Sequence, residues 1–299
     1  MKETKFVVST DSTADLYADE IKKLGVWVSP LTFTLEKNNV LTEHLDNFQN
    51  EQEYIDFYNK LRDGYVAKTS ILSVQAHIDL FTQMAKAGVK HALHLTQSYG
   101  LSPTLDNANK ALAIVKEEYP DLDYVTMQCN TTTVGEGECV RYACKLRDEG
   151  KTNVQAKELI DKMKDCIQHF IIVDDLMYLK RGGRISGASA AIGSLMQIKP
   201  IIEFTRRGTL ETARKEMGMK KALRSVIAEY NNYTRFKPWD RCIIVHTDNL
   251  PVANQMKEMV KETLGVEPDV RMIGPIIGAH LGPGAVAFAF TSNEKRPLE

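Results

Sequence analysis

Three short apolar runs, Phe6-Val7-Val8, Ala92-Leu93-His94-Leu95 and Tyr124-Val125-Thr126-Met127, each give way to a polar loop and then to a segment of helical period. No other feature constrains the fold as much. Strands apolar throughout need cover on both faces, and a helix between successive strands provides it, so the N-terminal half reads as a parallel sheet with crossover helices. Helices are expected at 14–23, 51–62, 74–87, 104–118 and 138–149, several opening behind a Ser, Thr or Pro that can cap or start a helix. Ligands in such sheets settle where strands hand over to helices.

A further helix over 154–168 leads into Phe170-Ile171-Ile172-Val173, after which glycine-rich loops and more widely spaced strands take over. Strands are expected at 201–204, 210–213, 242–246, 270–273 and 285–290, and helices at 220–231 and 251–264, an α+β texture. The 299 residues therefore divide into a Rossmann-like α/β domain over 1–168 and a C-terminal α+β domain over 169–299. Each is long enough to bury most of the surface that its unfolded form exposes. The tail from Asn293 to Glu299 is expected to fray.

Charge narrows the partners. Lysine and arginine number 38 against 39 aspartate and glutamate, interspersed along the chain, so no whole-protein field draws in nucleic acid or an acidic membrane. A small or neutral partner is the expectation. Met1 to Lys5 lead straight into a strand-length run with no h-region behind it, and no apolar run is long enough for a bilayer, so a cytoplasmic protein without stable membrane insertion is expected. Cys129, Cys139, Cys144, Cys166 and Cys242 form an odd set without paired two-residue spacing, which argues for buried thiols rather than a disulfide framework or a zinc site.

Hydroxyls crowd several loops. Ser9-Thr10-Asp11-Ser12-Thr13-Ala14-Asp15 opens a helix and serves either as a cap, through Ser12 or Thr13, or as a cradle for an anion. Lys68-Thr69-Ser70-Ile71-Leu72-Ser73 repeats the device, with Ser73 as a cap and Thr69 and Ser70 left to donate elsewhere. Ser98-Tyr99-Gly100-Leu101-Ser102-Pro103-Thr104 is the third, and in a parallel sheet the three converge on one rim. Asn130 to Gly137 either completes a pocket wall there or forms a plain turn.

Two further loops carry charge or an imidazole. Leu179 to Gly187 combines Lys180, Arg181 and Arg184 with paired glycines, which suits a carboxylate or phosphate approached by backbone and guanidinium together. The run that follows, Ala188 to Met196, is expected to be buried. Near the C-terminus His280 stands among glycines in Gly278-Ala279-His280-Leu281-Gly282-Pro283-Gly284, a forced loop before a strand, serving a ligand or simply solvated. His246, at a strand end, is expected to bond its own turn. Phosphate-loop, nucleophile-elbow and H-E-x-x-H signatures are missing from the sequence.

Taken in order, Asp11 to Leu16, Thr69-Ser70, Ser98 to Ser102, Leu179 to Gly187 and Gly274 to Gly284 resemble the DegV family from end to end. The resemblance implies a two-domain α/β protein that holds a long-chain fatty acid such as palmitate in a tunnel between its domains. In bacteria with a fatty-acid kinase such proteins are its acyl-binding subunits, FakB, so the resemblance implies a carrier rather than an enzyme, with no cofactor and with phosphoryl transfer left to the kinase. By matched motif, Thr69, Ser70, Ser98, Ser102 and His280 correspond to the carboxylate donors, with Thr104 in the serine loop. Gly183 and Arg184 correspond to the turn that faces the kinase or rims the pocket. The chain departs at Tyr99, where the family has a serine, at Pro103, where it has a glycine, and at Met217, where it has an arginine that Arg214 is placed to replace.

Burying about sixteen carbons is favourable by roughly 10 kcal/mol at about 0.8 per methylene, and the enclosed carboxylate takes back much of this unless several donors meet it. Met177, Met196, Met217, Met219 and Met272 offer flexible thioethers for a tunnel wall or for core filling. The alternative reading is an α/β enzyme acting on a small phosphorylated or carboxylate metabolite, with His280 as base and Arg184 as a phosphate clamp.

Overall fold

The computed structural model describes residues 5–185 and 197–298. Ser186, Gly187 and the run Ala188 to Met196 lie outside the described residues, as do Met1 to Thr4 and Glu299. The chain divides into two compact units, the first made of Met1–Phe33, Glu43–Asn50 and Thr69–Lys164, the second of Thr34–Thr42, Glu51–Lys68 and Asp165–Glu299.

In the first unit β1 (Val7–Asp11), β2 (Trp27–Ser29), β6 (His91–Thr96) and β7 (Asp123–Gln128) form a parallel sheet in the order β2-β1-β6-β7. Helix α4 (Thr104–Glu118) buries Thr104, Ala108, Ala111 and Val115, a three-to-four-residue stripe. It packs with Phe81 and Met84 of α3 (Val74–Lys86) and with Ala92 and Tyr124 of the sheet. Burial of each such large apolar side chain stabilises by about 1.5–3 kcal/mol. Ser73 caps α3, accepting from the Ala76 amide at 3.1 Å.

Two helix starts differ from expectation, each for a local reason. Asp11, rather than Ser12 or Thr13, caps a single 3-10 turn, Ser12–Ala14, which Asp15 ends at φ 49°; α1 (Ala18–Leu24) therefore begins later than the apolar pattern indicates. Conversely α5 (Val134–Asp148) begins four residues earlier, with Gly135 and Gly137 inside it. A Cβ on Gly137 would lie 2.6 Å from the Ala14 carbonyl oxygen, so the helix accepts the roughly 1 kcal/mol cost of glycine to approach that loop closely.

The strands β3 (Thr32–Lys37), β4 (Val40–Leu45) and β5 (Val66–Thr69) form a second sheet in the order β4-β3-β5. Of its strands only β3, with Phe33 and Leu35 buried alternately, shows an apolar period. β4 is largely exposed, and the two-residue turn before it, Asn38-Asn39, has positive φ at both positions, as a tight hairpin requires. Thr69 therefore ends a strand of this sheet, and the loop from Lys68 to Ser73 does not leave the parallel sheet as the sequence reading has it.

The second unit is built on a six-stranded sheet ordered β10-β9-β8-β13-β11-β12, antiparallel except for the last pair. Its strands are β8 (Ile167–Ile172), β9 (Ile198–Phe204), β10 (Leu210–Met217), β11 (Cys242–His246), β12 (Asp269–Met272) and β13 (Val286–Thr291). The helix expected to 168 stops sooner: α6 (Asn153–Met163) passes through one 3-10 turn and β8 starts at Ile167, with all six of its residues buried. Helices α8 (Met219–Ala228) and α9 (Leu250–Leu264) bury Leu223, Val226, Met256 and Val260 against Phe170, Ile244 and Phe288.

The tail does not fray. Arg296 is fully buried and donates to the Ile167 carbonyl at 3.0 Å, its amide bonds the Asp165 carbonyl, and the Arg206 amide bonds the Pro297 carbonyl. Among the described residues no helix is long and apolar enough to cross a membrane.

Candidate functional site

The loops at the C-terminal edge of the parallel sheet are ordered by their own hydroxyls. Ser98 is buried; its amide donates to the Thr131 carbonyl at 2.8 Å and its Oγ accepts from the Gly100 amide at 3.1 Å. Ser102, also buried, donates its amide to the Ser98 carbonyl and shares a 2.9 Å hydrogen bond with Thr104 Oγ1. Pro103 does not displace the helix, which begins at Thr104 as the apolar pattern indicates. Tyr99 is 52% exposed and its amide donates to Gln128, so the phenol stands away from the buried hydroxyls. Thr69 is half-buried, while Ser70 is exposed and bonds the Thr32 carbonyl through its amide.

Beneath this edge lie three buried acids, Glu136, Asp11 and Asp46. Glu136, in the first turn of α5, is wholly buried, with Oε1 3.0 Å from Thr10 Oγ1 and Oε2 2.8 Å from Thr13 Oγ1. Burial pushes its carboxyl well above the usual range, with the neighbouring Asp11 charge adding to the effect. Asp11 rises to about 6 and Asp46 to about 7, both mainly through burial. Deeper still, His94 Nδ1 meets Ser9 Oγ at 3.0 Å and His77 Nδ1 meets the Ser73 carbonyl at 2.9 Å, their rings edge-to-face at 5.3 Å. A carbonyl only accepts, so His77 carries its proton on Nδ1. Burial lowers the pKa of both, His94 the more strongly, and both stay neutral. The one sequence signal for these groups is acid placed among threonines or glycines at helix starts.

In the second unit the histidine motif is a helix. His280 belongs to the last turn of α10 (Pro275–Leu281), not to a loop: Pro275 sits in the first turn, where its missing N–H costs nothing, and Gly278 is helical. Each glycine of the motif makes room for a particular side chain. A Cβ on Gly278 would overlap the Tyr58 hydroxyl, which donates to the Ile273 carbonyl at 2.7 Å. On Gly282, already at φ 71°, it would strike the Tyr178 ring, and on Gly284, at φ 97°, it would lie 2.6 Å from Asp174 Oδ2.

The paired glycines of the basic turn divide two tasks. Helix α7 (Leu176–Arg181) ends in a Schellman motif, with Gly183 left-handed at φ 68°, its amide bonding Lys180 O and the Arg184 amide bonding Leu179 O. Gly182 instead lies under the His280 imidazole, where any Cβ would overlap Nδ1. Burial, with the Arg184 cation nearby, lowers the His280 pKa to about 4. The arrangement is a neutral imidazole beside a guanidinium, able to receive an anionic oxygen without the cost of a buried second cation. Arg184 also donates to the Gly182 carbonyl.

Arg214 is committed elsewhere. It pairs with Glu203 at 3.0 Å and Glu229 at 2.9 Å, donates to Ser225 and covers the Phe170 ring. Met217 and Met177 are exposed, whereas Met272 is buried. His246 accepts from the Asn249 amide at 3.2 Å, the turn bond expected of it. Among the described residues no group of three or more His, Cys, Asp or Glu side chains is disposed to hold a metal ion.

Fold and side-chain placement define a mixed α/β protein of two units, one built on a parallel sheet with a hydroxyl-lined edge. The DegV family model matches residues 5–293, and the chain belongs to the DegV family. A DegV domain-containing protein of Clostridium perfringens is 33% identical over 294 residues, covering 98% of this chain and 99% of its own. Among solved structures, a fatty acid binding DegV family protein from Streptococcus agalactiae is 28% identical with a TM-score of 0.80, covering 97% of this chain and 99% of that one. A DegV family protein from Thermus thermophilus, described for its fatty acid binding, is 25% identical with a TM-score of 0.81, covering 97% and 100%.

Proposed function

We propose that this chain binds a long-chain fatty acid and acts as a carrier rather than an enzyme, with Thr69, Ser70, Ser98, Ser102 and His280 as donors to the carboxylate. The observation that carries the reading is the niche at Gly182, where a half-buried neutral imidazole lies beside Arg184. It suits a carboxylate, which needs donors but loses affinity if it must be fully desolvated against an unpaired charge. The fatty acid binding described for the Streptococcus agalactiae and Thermus thermophilus relatives supports it.

In finer detail, the bound acid is of palmitate length, Gly183 and Arg184 face a fatty-acid kinase in the manner of a FakB subunit, and the complex works in the cytoplasm. Arg214, tied into its ion pairs, contributes to this face through the shape of β10 more than through its own charge. Native mass spectrometry of the gently purified protein tests the binding: a co-purifying C14–C18 acid is expected. Absence of any lipid, together with no thermal stabilisation by added palmitate and clear stabilisation by phosphorylated metabolites, would replace the carrier with an enzyme.

A further inference from the structure

Hydrogen counting at the end of β1 reveals a missing proton. Thr13 Oγ1 lies within hydrogen-bond distance of Asp11 Oδ1 and, at 2.8 Å, of Glu136 Oε2, yet a hydroxyl has one hydrogen to give. Were both acids ionised, one carboxylate oxygen would face the hydroxyl lone pairs in a wholly buried site. The Thr10 hydroxyl cannot relieve this, because it already bonds the other Glu136 oxygen at 3.0 Å.

We propose that Asp11 and Glu136 share one buried proton through the Thr13 hydroxyl, and that this proton latches the loop after β1 to the first turn of α5. All the hydrogens then have a place. Thr10 donates to Glu136 Oε1, protonated Glu136 donates from Oε2 to Thr13 Oγ1, and Thr13 donates to the Asp11 carboxylate, which also accepts the Thr13 amide at 2.9 Å. The latch reaches further along the edge. Thr133, held at φ 51° where a β-branched residue is strained, donates its amide to the Thr13 carbonyl at 2.8 Å, and the same loop accepts the Ser98 amide at Thr131.

Asp46 acts on Asp11 from a neighbouring loop, and Cys139 on Glu136 from α5 itself, with Cys129 bonded to it from the end of β7. The Arg141 guanidinium on α5 is bound to Glu20 and Glu138, and Lys157 and Lys164 near α6 to Asp161. The shifts of Glu136 and Asp11 agree in direction: both carboxyls hold protons more tightly in the fold than in the unfolded chain. Raised folded-state values mean stability that is present at low pH and is lost as pH rises towards the folded value.

Two measurements test the proposal. Infrared spectra of the whole protein labelled with carboxyl-13C glutamate are expected to show, at pH 7, a label-shifted protonated-carboxyl band. The Glu136→Gln variant, whose amide reproduces the donor and acceptor of the protonated acid, is expected to lack it. In denaturant titrations between pH 7 and 8 the wild-type unfolding constant is expected to rise about tenfold per pH unit relative to that of Glu136→Gln, one proton's worth. Absence of the band in the wild type overturns the proposal even if the variant fails to fold, and so does an identical pH dependence in the two proteins.

Discussion

The two units silence buried charge in opposite ways. At the parallel-sheet edge, burial raises the pKa of Glu136 and Asp11 and so favours retention of a proton, with threonine hydroxyls completing the bonds. At the Gly182 niche, an imidazole is half-buried and stays neutral by refusing a proton, with a guanidinium nearby supplying the positive charge. The first arrangement needs hydroxyls and the second needs space. The comparison teaches that threonine-rich and glycine-rich motifs, so different as sequence, answer the same problem of placing polar groups where water is excluded.

Space is the easier of the two to break. Gly282→Ala adds a methyl into the Tyr178 ring at a left-handed residue, and unfolding titrations are expected to show a loss of about 3 kcal/mol or more. Acid is the next challenge. A folded pKa of about 4 against 6.5 for His280 means that its contribution is intact above pH 6.5 and fades as pH falls to 4, on the order of 3 kcal/mol in all. His280→Asn should flatten that part of the acid limb, and an unchanged limb would show that the imidazole is not shielded from water in the fold.

On the other side of the comparison, Glu136→Ala strands the hydroxyls of Thr10 and Thr13 and is expected to cost about 2 kcal/mol at neutral pH, whereas the glutamine variant is nearly neutral. Binding is more forgiving. His280→Ala should weaken fatty acid affinity by about 1–2 kcal/mol in a fluorescent fatty acid displacement assay, since hydroxyl donors share the load. The mildest change, Tyr99→Ser, should move stability by no more than about 0.5 kcal/mol because the ring is half exposed.

Much of this was readable in the chain, and the failures are informative. Helices over 51–62 and 104–118 and the strand over 242–246 stand where hydrophobic spacing puts them, because each buries one regular stripe or one continuous run. β4 and β5 escaped because neither buries a residue and so neither shows an apolar stripe, while β3, which alternates buried Phe33 and Leu35 with its neighbours, stands outside the strand-loop-helix series. Helix α10 was hidden by its own residues: Pro275 and three glycines read as breakers until Tyr58 and Tyr178, distant in sequence, are seen to need the room. The charged tail reads as loose, yet the buried Arg296 holds it.

By itself the sequence determined the alternation of strands and helices, the hydroxyl loops and the family to which the chain belongs, because these rest on local periodicity, capping chemistry and contiguous motifs. Tertiary structure alone decided which acids have their pKa raised, which glycine faces which side chain and why His280 stays neutral. Those outcomes depend on desolvation and on contacts between residues far apart in the chain, and no local pattern encodes how much water a folded neighbour will exclude.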